Sequence, residues 1–267
     1  MSASRIVGIV LVRNEDNFVE TAVRNILAFC DEIHLADHGS TDGTPKILRS
    51  LASEMPKIHY NSVQHPSESH ALIRPFAGSS TWVFGVDGDE IYEPDRLARL
   101  RQKIFSGDFD KYWMLLGNVL HATKLATDRR TASGHFAPPC RSMTKLYNFG
   151  AIESWGGYTP ERLHGGDVRF RNGFTDEDRR MLHEEVTWDE ADFRCLHLCF
   201  LKRSTLDNEN TSRPNIIETF GPTRLHTLWY RLAGTLGLQK PAQWKRSRYM
   251  RGPEGTVDVE TFFPDGA

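Results

Sequence analysis

No stretch of the sequence approaches the ~20 consecutive apolar residues that a bilayer-crossing helix needs, so no membrane span is expected. Charge of one sign is also missing. The 33 Lys and Arg and 35 Asp and Glu leave a formal net charge of −2, which removes the bulk electrostatic argument for nucleic acid or membrane as a partner. Cysteine is scarce: Cys30, Cys140, Cys195 and Cys199 lack the spacing of a disulfide framework, so a reducing cytoplasm is the expected setting. Met1 to Arg5 leads straight into an apolar run, with none of the architecture of a secretory signal. No Gly-x-Gly-x-x-Gly follows a strand-like run, which disfavours a dinucleotide oxidoreductase. Internal repeats and low-complexity tracts are absent as well.

What remains is an ordinary globular composition, 39% hydrophobic and 25% charged over 267 residues, enough for one large α/β domain with a small appendage. Strand-like runs alternate with amphipathic segments through the first two-thirds, which predicts a largely parallel sheet flanked by helices. Ile6 to Val12 reads as a strand buried on both faces. Phe18, Ala22, Ile26 and Phe29 then repeat at helical spacing. Glu32 to Asp37 is the second strand, followed by a helix with Thr44 as N-cap and Pro45 in its first turn. Ile58 to Val63 is a third strand, and Ser67 is placed to cap the next helix. Thr81 to Val86 is a strong strand that delivers Asp87-Gly88-Asp89-Glu90, and Pro94 opens a short basic helix. Lys111 to Leu120 and Arg194 to Leu201 are further strand candidates. Between 121 and 192 the pattern weakens into Gly-, Pro- and charge-rich segments of the kind that form active-site loops. These readings divide the chain into a catalytic domain, 1–206, and a linker with a basic helical C-terminal extension, 207–267.

The acids stand at the carboxyl ends of strands, where open parallel sheets bind ligands. Glu15 follows the first strand, Asp37 ends the second, and Asp87 and Asp89 follow the fourth. Carboxylates gathered there repel one another unless they hold a cation or hydrogen-bond hydroxyl groups. A nucleotide-sugar bound with a divalent metal supplies both. In Asp87-Gly88-Asp89, alternate residues face one side and the glycine leaves room for a diphosphate. Hard oxygen ligands suit Mg²⁺ or Mn²⁺. Asp-Gly-Asp alone is commonly a surface turn. Its place after Trp82-Val83-Phe84-Gly85-Val86 argues otherwise.

Three segments together resemble family-2 glycosyltransferases of the GT-A fold: Leu11-Val12-Arg13-Asn14-Glu15, Asp37-His38-Gly39-Ser40-Thr41-Asp42-Gly43-Thr44, and Trp82 through Glu90. The resemblance covers residues 5 to about 105 well, 106 to 205 loosely and the tail hardly at all. The closing Asp89-Glu90 is similar to the branch that builds lipopolysaccharide core or other cell-surface glycans. The resemblance implies transfer from a UDP- or GDP-sugar donor to a glycan or lipid-linked acceptor, with inversion; the expected setting stays cytoplasmic, with peripheral contact at the inner membrane face as an option. It implies that Glu15 and Asp37, within the Val12, Asn14 and Glu15 segment and its partner loop, hold ribose and base. Asp87 would touch the ribose beside Gly88, and Asp89 would bind the metal with His197 as a further ligand. Lys202 and Arg203 would neutralise the diphosphate. Relatives commonly carry Arg-Asn before the Asp-x-Asp strand; here the segment is His70-Ala71-Leu72-Ile73-Arg74, which leaves Arg74 as the candidate phosphate contact.

Several residues have plainer readings. Cys195, His197 and Cys199 suggest zinc, but on a regular strand Cys195 and Cys199 would lie about 13 Å apart, too far to share one ion. A catalytic base is expected to be Glu161 or Glu184. Trp155 is either a platform for acceptor stacking or a core residue. Residues 219–253 contain seven Lys or Arg and no Asp or Glu, which fits peripheral membrane contact, a homo-oligomer or docking on the catalytic domain. Two alternatives stay open: a non-catalytic sugar-nucleotide-binding subunit and a sugar-phosphate nucleotidyltransferase. The second lacks its phosphate loop, because Val12-Arg13-Asn14-Glu15 is not glycine-rich. An Asp-x-Asp phosphatase would want Thr where Glu90-Ile91 stands.

Overall fold

A computed structural model describes residues 3–138, 145–156, 167–207 and 248–264. Glu161, Cys140 and the amphipathic segment from Thr223 to Leu238 lie outside the described residues.

Among the described residues a seven-stranded and a five-stranded sheet meet at the Asp-x-Asp turn. The larger contains β1 (Arg5–Val12), β2 (Glu32–Asp37), β3 (Ile58–Ser62), β4 (Thr81–Asp87), β6 (Met114–Leu116), β9 (Lys145–Asn148) and β12 (Arg179–Met181), in the order β12-β6-β9-β4-β1-β2-β3. All neighbours pair in parallel except β9, which runs against both β4 and β6. This is the mostly parallel α/β sheet expected. β1 is buried along nearly its whole length, as a central strand covered on both faces must be. Helices α1 (Val19–Asn25), α2 (Thr44–Glu54), α3 (Ser69–Ile73) and α4 (Pro94–Ser106) connect the early strands. In α4, Pro94 occupies the first turn, Leu97, Leu100 and Ile104 form the buried stripe, and Gly107 closes the helix at φ 89°.

The second sheet has the order β14-β8-β7-β13-β5, from β5 (Glu90–Tyr92), β7 (Asn118–Leu125), β8 (Thr131–Ala137), β13 (Arg194–His197) and β14 (Glu254–Asp258). A hairpin of β10 (Ile152–Gly156) and β11 (Asp167–Phe170), and the one-turn helix α5 (Leu182–Glu185) after β12, complete the described elements.

Five local expectations are corrected. The run from Lys111 to Leu120 is not one strand: it breaks at Gly117, and its halves enter different sheets as β6 and β7. A Cβ at Gly117 would overlap the Phe193 carbonyl, so the crossover admits only glycine. The described residues of 121–192 hold the end of β7 and all of β8 to β12 rather than mainly loops; these strands are short and partly exposed, so they carry little periodic signal. The strand beginning at Arg194 stops at His197, where the Leu198 amide turns to the Asp89 carbonyl. Thr44 does not cap α2 through its side chain. Its Oγ1 accepts from the Glu15 amide, and Asp42 accepts from the Thr44 amide instead. Likewise His65, not Ser67, caps the turn before α3, in a reciprocal arrangement with Glu68.

Within 207–267, the described residues 254–263 form a strand and a 3-10 turn, with Val259, Phe262 and Phe263 buried against the second sheet. Asn25 ties this tail to the body: its Nδ2 donates to the Tyr92 carbonyl at 2.7 Å and to the Phe262 carbonyl at 2.8 Å. Replacing Asn25 with Ala strands two buried carbonyls. Urea denaturation should then show unfolding free energy reduced by ~2–4 kcal/mol; an unchanged midpoint would contradict this account.

Candidate active site

Register fixes where the acids sit. Val12 pairs with Asp37 and Leu11 with Asp87, so β1 separates two acidic strand ends by two strand spacings, about 10 Å. Asp37 is buried; its carboxylate accepts from the Ser40 amide at 3.0 Å and the Tyr60 hydroxyl at 2.9 Å. Burial, and then the neighbouring Asp37, raise the Tyr60 pKa, which keeps that hydroxyl a donor. Asn14 sits at φ 54°, in the left-handed region that Asn tolerates better than most residues. Its amide donates to Ser40 Oγ and its Oδ1 accepts from the Thr41 amide, which laces the first acidic loop to the second.

After β4 the chain turns through Asp87, Gly88 and Asp89 into β5. A Cβ at Gly88 would overlap Glu15 Oε2 and press on Val12 Cγ1, so the glycine lets the turn lie directly on Glu15. Glu90 stabilises the turn by accepting from the Asp87 amide at 3.1 Å and from the Tyr92 hydroxyl at 3.2 Å. Glu15 and Asp89 are both buried, and one cation serves both. The guanidinium of Arg203 lies 2.9 Å from Glu15 Oε1 and 2.6 Å from Asp89 Oδ2. Only 11% of the Arg203 side chain is exposed. Burial opposes its charge, but Asp89 and Glu15 outweigh that and push its pKa up.

Arg203 is held there by a strap that sequence reading missed. Asp16 accepts from the Gly43 amide and from both the amide and hydroxyl of Thr205. The Asn17 amide donates to the Arg203 carbonyl, and its side chain donates to the Lys202 carbonyl. Asp42 accepts from Ser204 Oγ at 2.6 Å. Lys202 itself is exposed.

His197, at the end of β13, places Nε2 3.8 Å from Asp89 Oδ2. Its Nδ1 lies 2.8 Å from Nδ1 of His121 on β7, a histidine that the weakly patterned middle region concealed. Cys199 Sγ is close to both rings, and His121, His197 and Cys199 form a buried trio within 4.8 Å. Cys195 stays outside that trio and packs in the main core with its thiol pKa raised by burial. A buried carboxylate oxygen and an imidazole nitrogen converge at Asp89, donors of the kind a divalent ion takes, with Arg203 on the same oxygen.

Other expected site residues lie apart. Arg74 is exposed at the end of α3, and Glu184 is exposed on α5; neither shares a hydrogen bond or ion pair with this cluster among the described residues. Glu184 does follow β12, whose carboxyl end lies on the same rim as that of β4. Trp155 is a core residue, 3% exposed and edge-on to His70 and Tyr147.

Asp42 belongs to the strap and not to the acidic cluster. Asp42→Ala should lower stability by ~1–3 kcal/mol through loss of its bonds to Thr44 and Ser204. Nucleotide diphosphate affinity of the folded variant should stay within a few-fold of wild type. A lost binding isotherm with an unchanged melting temperature would reverse that assignment.

The family model described as Glycosyl transferase family 2 matches residues 9–129. No curated protein matches the chain in sequence. Among solved structures the chain is similar to the mannosyltransferase PcManGT from Pyrobaculum calidifontis in complex with GDP-Man and Mn²⁺. Identity is 17% and the TM-score 0.34, over 55% of this chain and 45% of that one. It is similar also to glucosyl-3-phosphoglycerate synthase from Mycobacterium tuberculosis in complex with Mn²⁺, uridine-diphosphate and glucosyl-3-phosphoglycerate. Here identity is 20% and the TM-score 0.38, over 59% and 61% of the two chains. The chain thus spans 45% and 61% of the lengths of these two proteins. Residues 9–129 thus match the glycosyl transferase family 2 model, and the sheet, with β9 reversed between β4 and β6 and otherwise parallel, is a mostly parallel α/β architecture.

Proposed function

We propose that the protein is a metal-dependent glycosyltransferase that moves a sugar from a UDP- or GDP-sugar to a glycan or lipid-linked acceptor, with inversion. The observation that carries the reading is the meeting of Glu15, Asp89, His197 and Arg203 at the carboxyl rim of the sheet. Arg203 already balances the two acids, and a metal-bound nucleotide diphosphate matches the same cluster: its ion answers the carboxylates and its phosphates answer the guanidinium.

Each residue then has a task. Asp37, fixed by Tyr60 and the Ser40 amide, and Glu15 face the ribose and base. The lacing by Asn14 and the packing of Val12 keep that shelf in register. Asp87 reaches a ribose hydroxyl, and Gly88 leaves space for the phosphates. Asp89 and His197 hold Mn²⁺ or Mg²⁺. A bound divalent ion would offset the charge that develops on the departing diphosphate. Arg203 and Lys202 stand at the same place to take up diphosphate charge, with Arg74 as an outlying contact. Glu161 or Glu184 takes the acceptor proton as general base.

No helix among the described residues is long and apolar enough to cross a membrane. Contact with a lipid-linked acceptor at the cytoplasmic face is assigned to the basic residues of the 219–253 segment, which also serve as the candidate surface for self-association.

Incubation with UDP- and GDP-sugars and Mn²⁺ should release nucleotide diphosphate slowly without acceptor, and EDTA should stop the release. Asp89→Ala should lose ~10²-fold or more of that rate, the scale of a metal contact in the transition state. Full activity in Asp89→Ala would remove the proposal. Tight nucleotide-sugar binding without any turnover would favour the non-catalytic subunit instead.

A further inference from the structure

Resting on the reading of Asp89 and His197 as metal ligands, we infer that His121 is a positioning residue that sets the tautomer of His197 and aims its Nε2 at the metal. The two rings are cross-strand neighbours: His197 pairs with His121 on β7 and with Glu90 on β5. Their Nδ1 atoms lie 2.8 Å apart, and both side chains are buried. That separation is a hydrogen-bond length. Two nitrogens bound to one tetrahedral ion at 2.0–2.1 Å each would stand about 3.3 Å apart. A proton therefore lies between the Nδ1 atoms, and one ring donates to the other.

The direction of donation has consequences. A neutral imidazole carries one N–H and one lone pair. If His197 donates from Nδ1, its Nε2 is left with the lone pair, on the side where Asp89 Oδ2 lies 3.8 Å away. His121 then accepts at Nδ1 and carries its own proton on Nε2. The reverse arrangement would put a proton on the His197 nitrogen that faces Asp89, and that nitrogen could bind no cation. Metal-bound histidines are ordinarily oriented by such a partner, most often a carboxylate or carbonyl. In this chain an imidazole fills the role. Tyr249, returning from the C-terminal segment, holds that imidazole flat: it stacks on His121 with ring centroids 4.5 Å apart and planes at 16°, and presents its edge to His197 at 5.6 Å.

Two measurements test the assignment. In the metal-free wild-type protein, ¹⁵N imidazole spectra should show His197 protonated at Nδ1 and bare at Nε2, with His121 the opposite. The reverse tautomers would overturn the inference whether or not metal binds. Titration with Mn²⁺ in the presence of UDP or GDP, followed by electron paramagnetic resonance, gives the second readout. His121→Leu should weaken Mn²⁺ by ~10–100-fold, the usual effect of removing an outer-shell partner. His121→Asn, whose side-chain oxygen can accept near the Nδ1 position, should recover most of that loss, which a purely packing role would not produce. Wild-type affinity in His121→Leu, alongside lost affinity in Asp89→Ala, would defeat the positioning role and leave the metal site standing. Absence of Mn²⁺ binding in the wild type would instead defeat the metal reading and this inference with it. If Co²⁺ gave a thiolate charge-transfer band from Cys199, the trio would itself be the ligand set, and His121 would not be an orienting partner.

Discussion

The constraint on which the site depends is the burial of two carboxylates, Glu15 and Asp89, within reach of one guanidinium. Buried acids at close range disfavour ionisation of both unless positive charge is supplied on the spot. Arg203 supplies it at 2.9 Å and 2.6 Å, and its position is enforced by backbone and side-chain bonds from Asp16, Asn17 and Asp42. The strap explains why two loops after β1 and β2 are laced so closely. They anchor a segment from far along the chain as well as shaping a ligand shelf. Breaking a buried pair by removing one partner is more damaging than never having it, because the remaining charge stays desolvated. The acids, the arginine and the strap therefore stand or fall together.

The junction of the two sheets adds a second constraint. β4 belongs to the parallel sheet and β5 to the smaller one, and Gly88 lies between them where no side chain fits over Glu15. Asp89 is thereby delivered to the smaller sheet's side, beside His197 on β13 and His121 on β7. On the proposed reading, the acids Asp37 and Asp87 come from one sheet and the nitrogen ligand His197 from the other. The C-terminal strand β14 forms the edge of the second sheet beside β8, and Tyr249 stacks on His121, so residues remote in sequence control the surroundings of the imidazoles.

How much of this was legible in the sequence follows the range of the interactions. Glu15, Asp37, Asp87 and Asp89 could be read as strand-end acids because each follows a run of buried, β-rich residues, and that signal is local. The first four parallel strands and α4 were legible for the same reason. His121 was not: it lies in an eight-residue strand whose partner is 76 positions away, and nothing in Asn118–Leu125 announces a parallel pairing with Arg194–His197. Asp16 and Asn17 escaped likewise, since their partners Thr205, Lys202 and Arg203 are more than 180 residues downstream. Thr44 misled because its hydroxyl is the right group for a cap but is taken by the Glu15 amide. Gly117 looked like an interruption of one strand and is instead the point where the chain changes sheets.

The arrangement around Asp89 also limits how a metal and Arg203 can share the site. Both seek the same carboxylate: Arg203 bonds to Asp89 Oδ2, the oxygen that faces His197 Nε2. A divalent ion between Asp89 and His197 brings two positive charges next to a guanidinium already 2.6 Å from that oxygen. Like charges at that range repel strongly in a site that water reaches poorly. Anionic charge relieves the conflict, and a diphosphate is the group the proposed function brings. On this argument the metal, the diphosphate and Arg203 are mutually dependent: the acids tolerate Arg203 alone or the full set, whereas metal without diphosphate sets two cations against each other. On the proposed reading, binding of donor and ion would be coupled through that one shared oxygen, with Arg203 placed to face the phosphates.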